Sequence, residues 1–204
     1  MNTLNSQDIE LLVSQLNSAA TPEDASTAIA LIICSGNSEV AAINALIAAL
    51  SHHHPEIKVA AVKALVELAS NSVEPLIAAF YASTDQGLQA YIIQALAQIG
   101  DKRATDVLVE VLGTSVANHC QGNVRRIAAR GLGHIGSHSR NPEISDSIVK
   151  KLTWALVSCE DWGLRYAAAV SLEEIDTPLS IAALQTASQE PDKVVLSRIA
   201  RALH

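Results

Sequence analysis

The sequence predicts an all-α protein, an α-solenoid of about six stacked helix pairs forming one domain over residues 1–204. Three observations carry that prediction. First, one segment recurs without gaps at 57–69, 88–100, 124–136, 164–176 and 195–204. Second, apolar residues make up 49% of the chain, mostly Ala, Leu, Ile and Val, against only 3% aromatics. Ala and Leu are strong helix formers, and a core of small side chains lets helices approach closely. Third, Pro22, Pro55, Pro142, Pro178 and Pro191 fall near expected helix starts, where a missing N–H costs nothing.

The recurring segment has a helical signature. Its first position is apolar (Ile57, Leu88, Val124, Leu164, Val195) and its ninth is always leucine (Leu65, Leu96, Leu132, Leu172, Leu203). Position five is Ala or Ile, position eight is small, and position twelve is Leu or Ile where the segment reaches it. Positions one, five, eight, nine and twelve lie on one face of an α-helix. Shorter amphipathic helices are expected between them, at 38–50, 72–82, 102–112, 143–157 and 178–188, and a further pair at 6–17 and 23–34 opens the chain. A period of 31 to 40 residues made of two helices means that each pair buries its apolar face on its neighbours.

Charge divides the chain. The formal net charge is −7, and no Lys or Arg precedes Lys58. From 111 to 142 there is no Asp or Glu, yet Arg125, Arg126, Arg130, Arg140, His119, His134 and His138 lie there. An acidic end and a central basic island suggest different partners for different surfaces. The acidic balance argues against a nucleic-acid binder. No apolar run approaches a membrane span, and the first residues do not read as a signal peptide. Cys34, Cys120 and Cys159 are sparse, odd in number and without paired spacing, which fits free thiols in a reducing, cytoplasmic setting. No zinc-ligand spacing, phosphate loop or Ser-His-Asp order is visible, and no metal site is expected.

Two connections, 114–123 and 137–143, are longer than their counterparts, and extra loop length at one repeat is where repeat proteins place binding residues. The first holds Asn118, His119, Cys120, Gln121, Gly122 and Asn123. We expect a loop ending at Asn123 as N-cap, with Gly122 free to adopt positive φ. A helix N-terminus and nearby arginines would lower the Cys120 thiol pKa, and His119 could move a proton near neutral pH. The plainer reading is a flexible loop with an incidental thiol. Arg126 and Arg130, four apart, share a face turned from the buried stripe; they either hold a carboxylate or phosphate or are simply solvated. Lys58, Arg125 and Arg165 recur at position two and read as contacts between repeats. Trp154, Trp162, Tyr91 and Tyr166 read mostly as core, although Trp162 and Tyr166, one repeat from the basic island, could flank a flat conjugated ligand. His52, His53 and His54 read as a polar loop, and Cys34 and Cys159 as packing residues at helix ends. The last helix leaves Val195, Ile199 and Leu203 on a face with no following repeat, which either docks a partner or packs on the preceding pair.

The pattern Val-Arg-x-x-Ala-Ala-x-x-Leu-x-x-Ile-Gly at 124–136 resembles HEAT-like repeats over nearly the whole chain. With the hexapeptide 118–123 before the fourth repeat helix, it resembles the F subunits of heterodimeric E/F-type phycobilin lyases, and within them the isomerising phycoerythrocyanin α-chain lyase type. That resemblance implies an E-type lyase subunit as partner, phycocyanobilin as substrate and an apo-phycobiliprotein α chain as acceptor. The reaction would form a thioether to an acceptor cysteine and shift a bilin double bond to give phycoviolobilin. It would be redox-neutral and use no metal or cofactor. The resemblance carries isomerisation to His119 and Cys120. The arginines would hold propionates, with Trp162 and Tyr166 against the pyrroles. The alternatives are a non-isomerising phycocyanin α-chain lyase subunit, or a non-catalytic adaptor that binds phycobiliproteins.

Overall fold

The computed structural model describes residues 11–12, 14–16, 19, 21–34, 40–114 and 119–203, with the side chains of Pro22, Ser26, Ile33, Cys34, His119 and Cys120 excluded. Eleven helices follow one another among the described residues beyond position 21. They are α1 (Pro22–Cys34), α2 (Val40–Ala49), α3 (Pro55–Glu67), α4 (Ser70–Ala82), α5 (Gln86–Ile99), α6 (Thr105–Gly113), α7 (His119–His138), α8 (Pro142–Ser158), α9 (Trp162–Ile175), α10 (Pro178–Thr186) and α11 (Lys193–Ala202). A short 3-10 turn, Lys102–Ala104, leads into α6. The five repeated segments are α3, α5, α7, α9 and α11, and the helices expected between them are α2, α4, α6, α8 and α10. The chain falls into two compact units, Met1–Ile99 and Gly100–His204.

Helix ends follow local chemistry. Pro22, Pro55, Pro142 and Pro178 each open their helix. Asn141, Asp161 and Asp192 cap α8, α9 and α11 by accepting backbone N–H groups of the first turn, which satisfies donors that have no intrahelical partner. Thr177 and Ser180 form a reciprocal capping box at α10.

The stripe read from the sequence is the core. In the first unit, Ile57, Ala61 and Leu65 of α3 and Ile92 and Leu96 of α5 are fully buried. In the second, Ala128 and Leu132 of α7, Leu164, Ala168 and Leu172 of α9, and Val195 and Ile199 of α11 are buried. Of the α11 face that seemed open, Val195 and Ile199 are covered, at 0% and 1% exposed, by packing of α11 on α9, and Leu203 is half-buried.

Both stretches expected as long loops give way to helix where they adjoin α7. The helix was expected to start at Asn123 and stop before Ser137, but α7 runs from His119 to His138, 20 residues against 13 or 14 in α3, α5 and α9. Gly122 lies inside it, buried, so it needs no positive φ, and Asn123 is not the cap. No proline interrupts this stretch, and packing of the buried positions outweighs glycine's weak propensity. At the far end, Ser137 Oγ donates to the His134 carbonyl at 3.0 Å and the His138 ring approaches it at 2.9 Å, closing the extra turn. The connection to α8 is then three residues long, 139–141.

Candidate functional site

The arginines at position two of the repeated helices are tied to the backbone of neighbouring helices. Arg125 is 8% exposed. It donates to the Leu112 carbonyl at the end of α6 (2.9 Å) and reaches Cys159 Sγ at the end of α8 (3.5 Å). Arg165 repeats the arrangement one pair later. It bonds the carbonyls of Cys159 (2.9 Å) and Glu160 (2.7 Å), and grips the buried Glu190 carboxylate with Nε and Nη2. Gln89 fills the same position in α5 and donates to the carbonyls of Phe80 and Ser83. Each side chain thus caps the C-terminal end of the first helix of its own pair, and the arginines also reach the next pair. Lys58 instead lies over the Tyr91 ring at 5.3 Å.

Arg126 and Arg130 do something else. α7 and α9 run close together because their seam is made of small residues. A methyl on Gly133 would lie 2.6 Å from Ser171 Cβ, and one on Gly136 would lie 2.8 Å from Ile175 Cδ1. The Ser171 hydroxyl, fully buried, donates to the Ala129 carbonyl across the seam at 2.9 Å. This approach brings the exposed edge of α7 alongside the first turns of α9. A groove of about 590 Å³ opens there, with Arg126 and Arg130 on the α7 side, Trp162, Tyr166 and Val170 along α9, and Val194 and Arg198 of α11 opposite. Positions 162, 166 and 170 fall on one face of α9. The indole of Trp162 is 50% exposed and Tyr166 36%, so these rings, and Trp154 at 42%, are not core as the sequence suggested. Tyr91 is half-buried.

The basic island is balanced in space. Arg126 pairs with Asp161 through Nε (3.0 Å) and Nη2 (2.8 Å), and its guanidinium carbon stands 6.0 Å from the centre of the Trp162 ring. Arg130 donates to Ser171 Oγ at 2.9 Å and to Glu174 at 2.7 Å. Arg198 pairs with Glu173. Burial pushes the Asp161 carboxyl up, but the Arg126 hydrogen bonds and charge, with the Gly163 and Leu164 amides, hold it below the usual carboxylate range. The Asp161 hydrogen bond likewise raises the Arg126 guanidinium pKa. Asp161, Gly163, Ser171, Glu174 and Arg198 were not picked out from the sequence. The available signals were the N-cap run Asp-Trp-Gly at 161–163 and a lone charge at position four of the last repeat.

Four residues singled out from the sequence, Arg126, Arg130, Trp162 and Tyr166, therefore meet in one groove. Gln121, Gly122 and Asn123 lie in the first turns of α7, half-buried, buried and exposed respectively. Asn118 lies outside the described residues, as do the side chains of His119 and Cys120. The backbone of 119 and 120 forms the first turn of α7. By helical period, positions 119, 123, 126 and 130 fall on one edge of that helix, with 120 next to it. His52, His53 and His54 lie in the connection between α2 and α3; the rings of His52 and His53 stack at 4.2 Å, and the His54 ring is tilted against that of His53. Among the described residues no helix is long and apolar enough to cross a membrane.

Comparison with known proteins places these features in a family. A model of HEAT repeats matches residues 43–119, 73–138 and 114–204. The bilin biosynthesis protein PecF of Mastigocladus laminosus is 60% identical over 94% of this chain and 92% of its own length. The PecF protein of Nostoc sp. strain PCC 7120 is 62% identical over 80% of this chain and 95% of its own. The phycocyanobilin lyase subunit beta of the same Nostoc strain is 33% identical over 79% and 82% of the two chains. Among solved structures, a chain of the CpcE–CpcF complex of phycocyanin lyase from that strain superposes with a TM-score of 0.68 at 31% identity, covering 81% of this chain and all of that one.

Proposed function

We propose, from the premise that this chain belongs to the HEAT-repeat family of bilin biosynthesis proteins that includes PecF and the phycobilin lyase subunits, that it is the F subunit of a phycobilin lyase-isomerase. With an E-type subunit in the cytoplasm it joins phycocyanobilin to a cysteine of the apo-phycoerythrocyanin α chain and isomerises it to phycoviolobilin. The gap between 60–62% identity to the PecF proteins and 33% to the phycocyanobilin lyase subunit favours the isomerising reading over plain attachment. A non-catalytic adaptor is disfavoured by the same likenesses.

One observation carries the reading to residues. The edge of α7 that bears Arg126 and Arg130 along the groove continues in helical register to position 119. We place the bilin in the groove, its conjugated rings against Trp162 and Tyr166 and a propionate at the α7 arginines. Arginine's planar fork suits carboxylates, since it meets two oxygens at once. Arg126 uses Nε and Nη2 for Asp161 and keeps its outer edge for a second acid. Gln121, Gly122 and Asn123 belong to the same end of α7, and Asn118 precedes it.

The chemistry then divides. Attachment adds a thiol across the ethylidene group of the bilin, and that thiol belongs to the acceptor protein. Isomerisation of the adduct replaces the double bond between C4 and C5 by one between C2 and C3, so C2 and C3 each lose a proton and C4 and C5 each gain one. We assign proton transfer to His119, because imidazole is the side chain suited by type to general acid–base work, with Cys120 as its neighbour. A first-turn cysteine sits where unpaired backbone N–H groups favour a thiolate. Both steps are redox-neutral, so the reading invokes no metal or redox cofactor.

The test is co-expression with the E-type partner, the apo-α chain and phycocyanobilin, read by absorption. The wild-type complex yields an adduct absorbing at shorter wavelength than attached phycocyanobilin, because loss of the C4–C5 double bond separates ring A from the conjugated system. His119→Ala with Cys120→Ser yields a red-shifted adduct or a mixture. A variant that still gives only the short-wavelength product removes these residues from the isomerisation. Full activity of the purified chain without a partner removes the heterodimer.

A further inference from the structure

We propose that Asp161 is a positioning residue: it fixes the Arg126 guanidinium beside Trp162 with one edge free for a ligand carboxylate, and Gly163 leaves the space in which it lies. The inference rests on the reading of the groove as a bilin site given above.

One carboxylate serves two elements. Asp161 Oδ1 accepts the Gly163 N–H at 3.0 Å, capping α9, and also Arg126 Nη2 at 2.8 Å. Oδ2 accepts Arg126 Nε at 3.0 Å. The side edge of the guanidinium, Nε with Nη2, is therefore filled. A guanidinium carries five N–H donors, so the Nη1–Nη2 end remains for a second acid. The guanidinium also rests on the bare backbone of the first turn of α9. A methyl on Gly163 would lie 2.5 Å from Arg126 Nε and 2.7 Å from Nη2. A long side chain otherwise loses rotamer freedom on binding, and one held beforehand loses less. Arg130 has a looser arrangement, one bond to Ser171 and one to Glu174.

A competing role has the opposite sign. If Asp161 merely neutralised Arg126, its removal would strengthen binding of an anionic ligand. Phycocyanobilin and its dimethyl ester separate the two, because they share the conjugated rings and differ in the propionate charges. The measurement is the affinity of the chain, in complex with its E-type partner, for each compound, expressed as the preference for acid over ester. Asp161→Asn preserves an N-cap residue of equal quality and removes the charge. Gly163→Ala preserves the charge and displaces the guanidinium. Each is expected to lower the acid preference about five- to tenfold, with ester affinity unchanged. A role in folding alone would weaken both compounds together.

If Arg126→Ala abolishes the preference while both positioning variants keep the wild-type value, the groove stands and the positioning role falls. A stronger acid preference in Asp161→Asn makes Asp161 a competitor and also overturns it. If the wild-type complex has no acid preference, or Arg126→Ala with Arg130→Ala leaves it intact, the groove reading itself fails and the inference falls with it. Should Asp161→Asn fail to fold, Asp161→Ser, which also keeps an N-cap residue and removes the charge, takes its place and is read in the same way.

Discussion

Arg165 and Arg126 show how differently one residue type can be placed. The Arg165 side chain is 12% exposed and its partner Glu190 only 4%, whereas Arg126 is 40% exposed beside Asp161 at 24%. Breaking a buried pair leaves an uncompensated charge, at a cost of about 3–5 kcal/mol, while exposed pairs contribute about 0–1 kcal/mol. Arg165→Leu is therefore expected to lower unfolding free energy by about 3 kcal/mol or more, seen as a reduced urea midpoint at unchanged slope. Arg126→Ala should move that midpoint far less. Equal shifts would mean that Arg126 is as structural as Arg165. The sequence distinguished the two in part, since position two recurs between repeats and position three does not. It did not show that Gln89 belongs to the same series, because an amide and a guanidinium look alike only once both are seen donating to carbonyls.

At the scale of the helix, spacing was the reliable guide. Buried positions in α3, α5, α7, α9 and α11 fall where a 3.6-residue period puts them, and prolines and short polar caps marked the starts. The reading failed at both ends of α7, where no proline falls between 119 and 138 and extra chain length was taken for loop. It also took a run without acids for a positive surface, since Asp161 and Glu174, which pair with Arg126 and Arg130, lie 35 and 44 residues downstream. No local pattern reports a contact of that separation. The α7–α9 seam gives a prediction of its own. Gly133→Ala places a methyl 2.9 Å from Ser171 Cα, which is backbone and cannot swing away, so a loss of about 1–3 kcal/mol is expected. Gly113→Ala, at the end of α6 with nothing within 4 Å, should be neutral or stabilising by up to about 1 kcal/mol. Paired denaturation curves check both, and a stabilised Gly133→Ala would show that the seam has room.

For the whole molecule, the division into Met1–Ile99 and Gly100–His204 puts α7, α9 and α11, and with them the groove, inside the second unit. Contacts in a repeat array are mostly between neighbours, so a ligand's effect should be local. Adding phycocyanobilin to the complex should slow amide exchange mainly in 119–203, with smaller changes in the first unit away from the partner. Protection confined to the first unit would move the bilin site out of the groove. The bilin reading came from a resemblance over the chain and one hexapeptide, and the similarity to PecF proteins places the chain in the same family. The groove itself could not be read in advance, because its two walls and its floor come from three different repeats.

The carbonyl caps also set an order for assembly as the chain emerges from the ribosome. Arg125 follows the carbonyl it caps by 13 residues and precedes its second contact, Cys159, by 34. Arg165 stands six residues after one and 25 before the other. Each arginine can therefore latch its own pair as soon as the second helix begins, then hold a half-used fork until the next pair is synthesised. Growth from the N-terminus shuts these latches one after another, in the direction of translation.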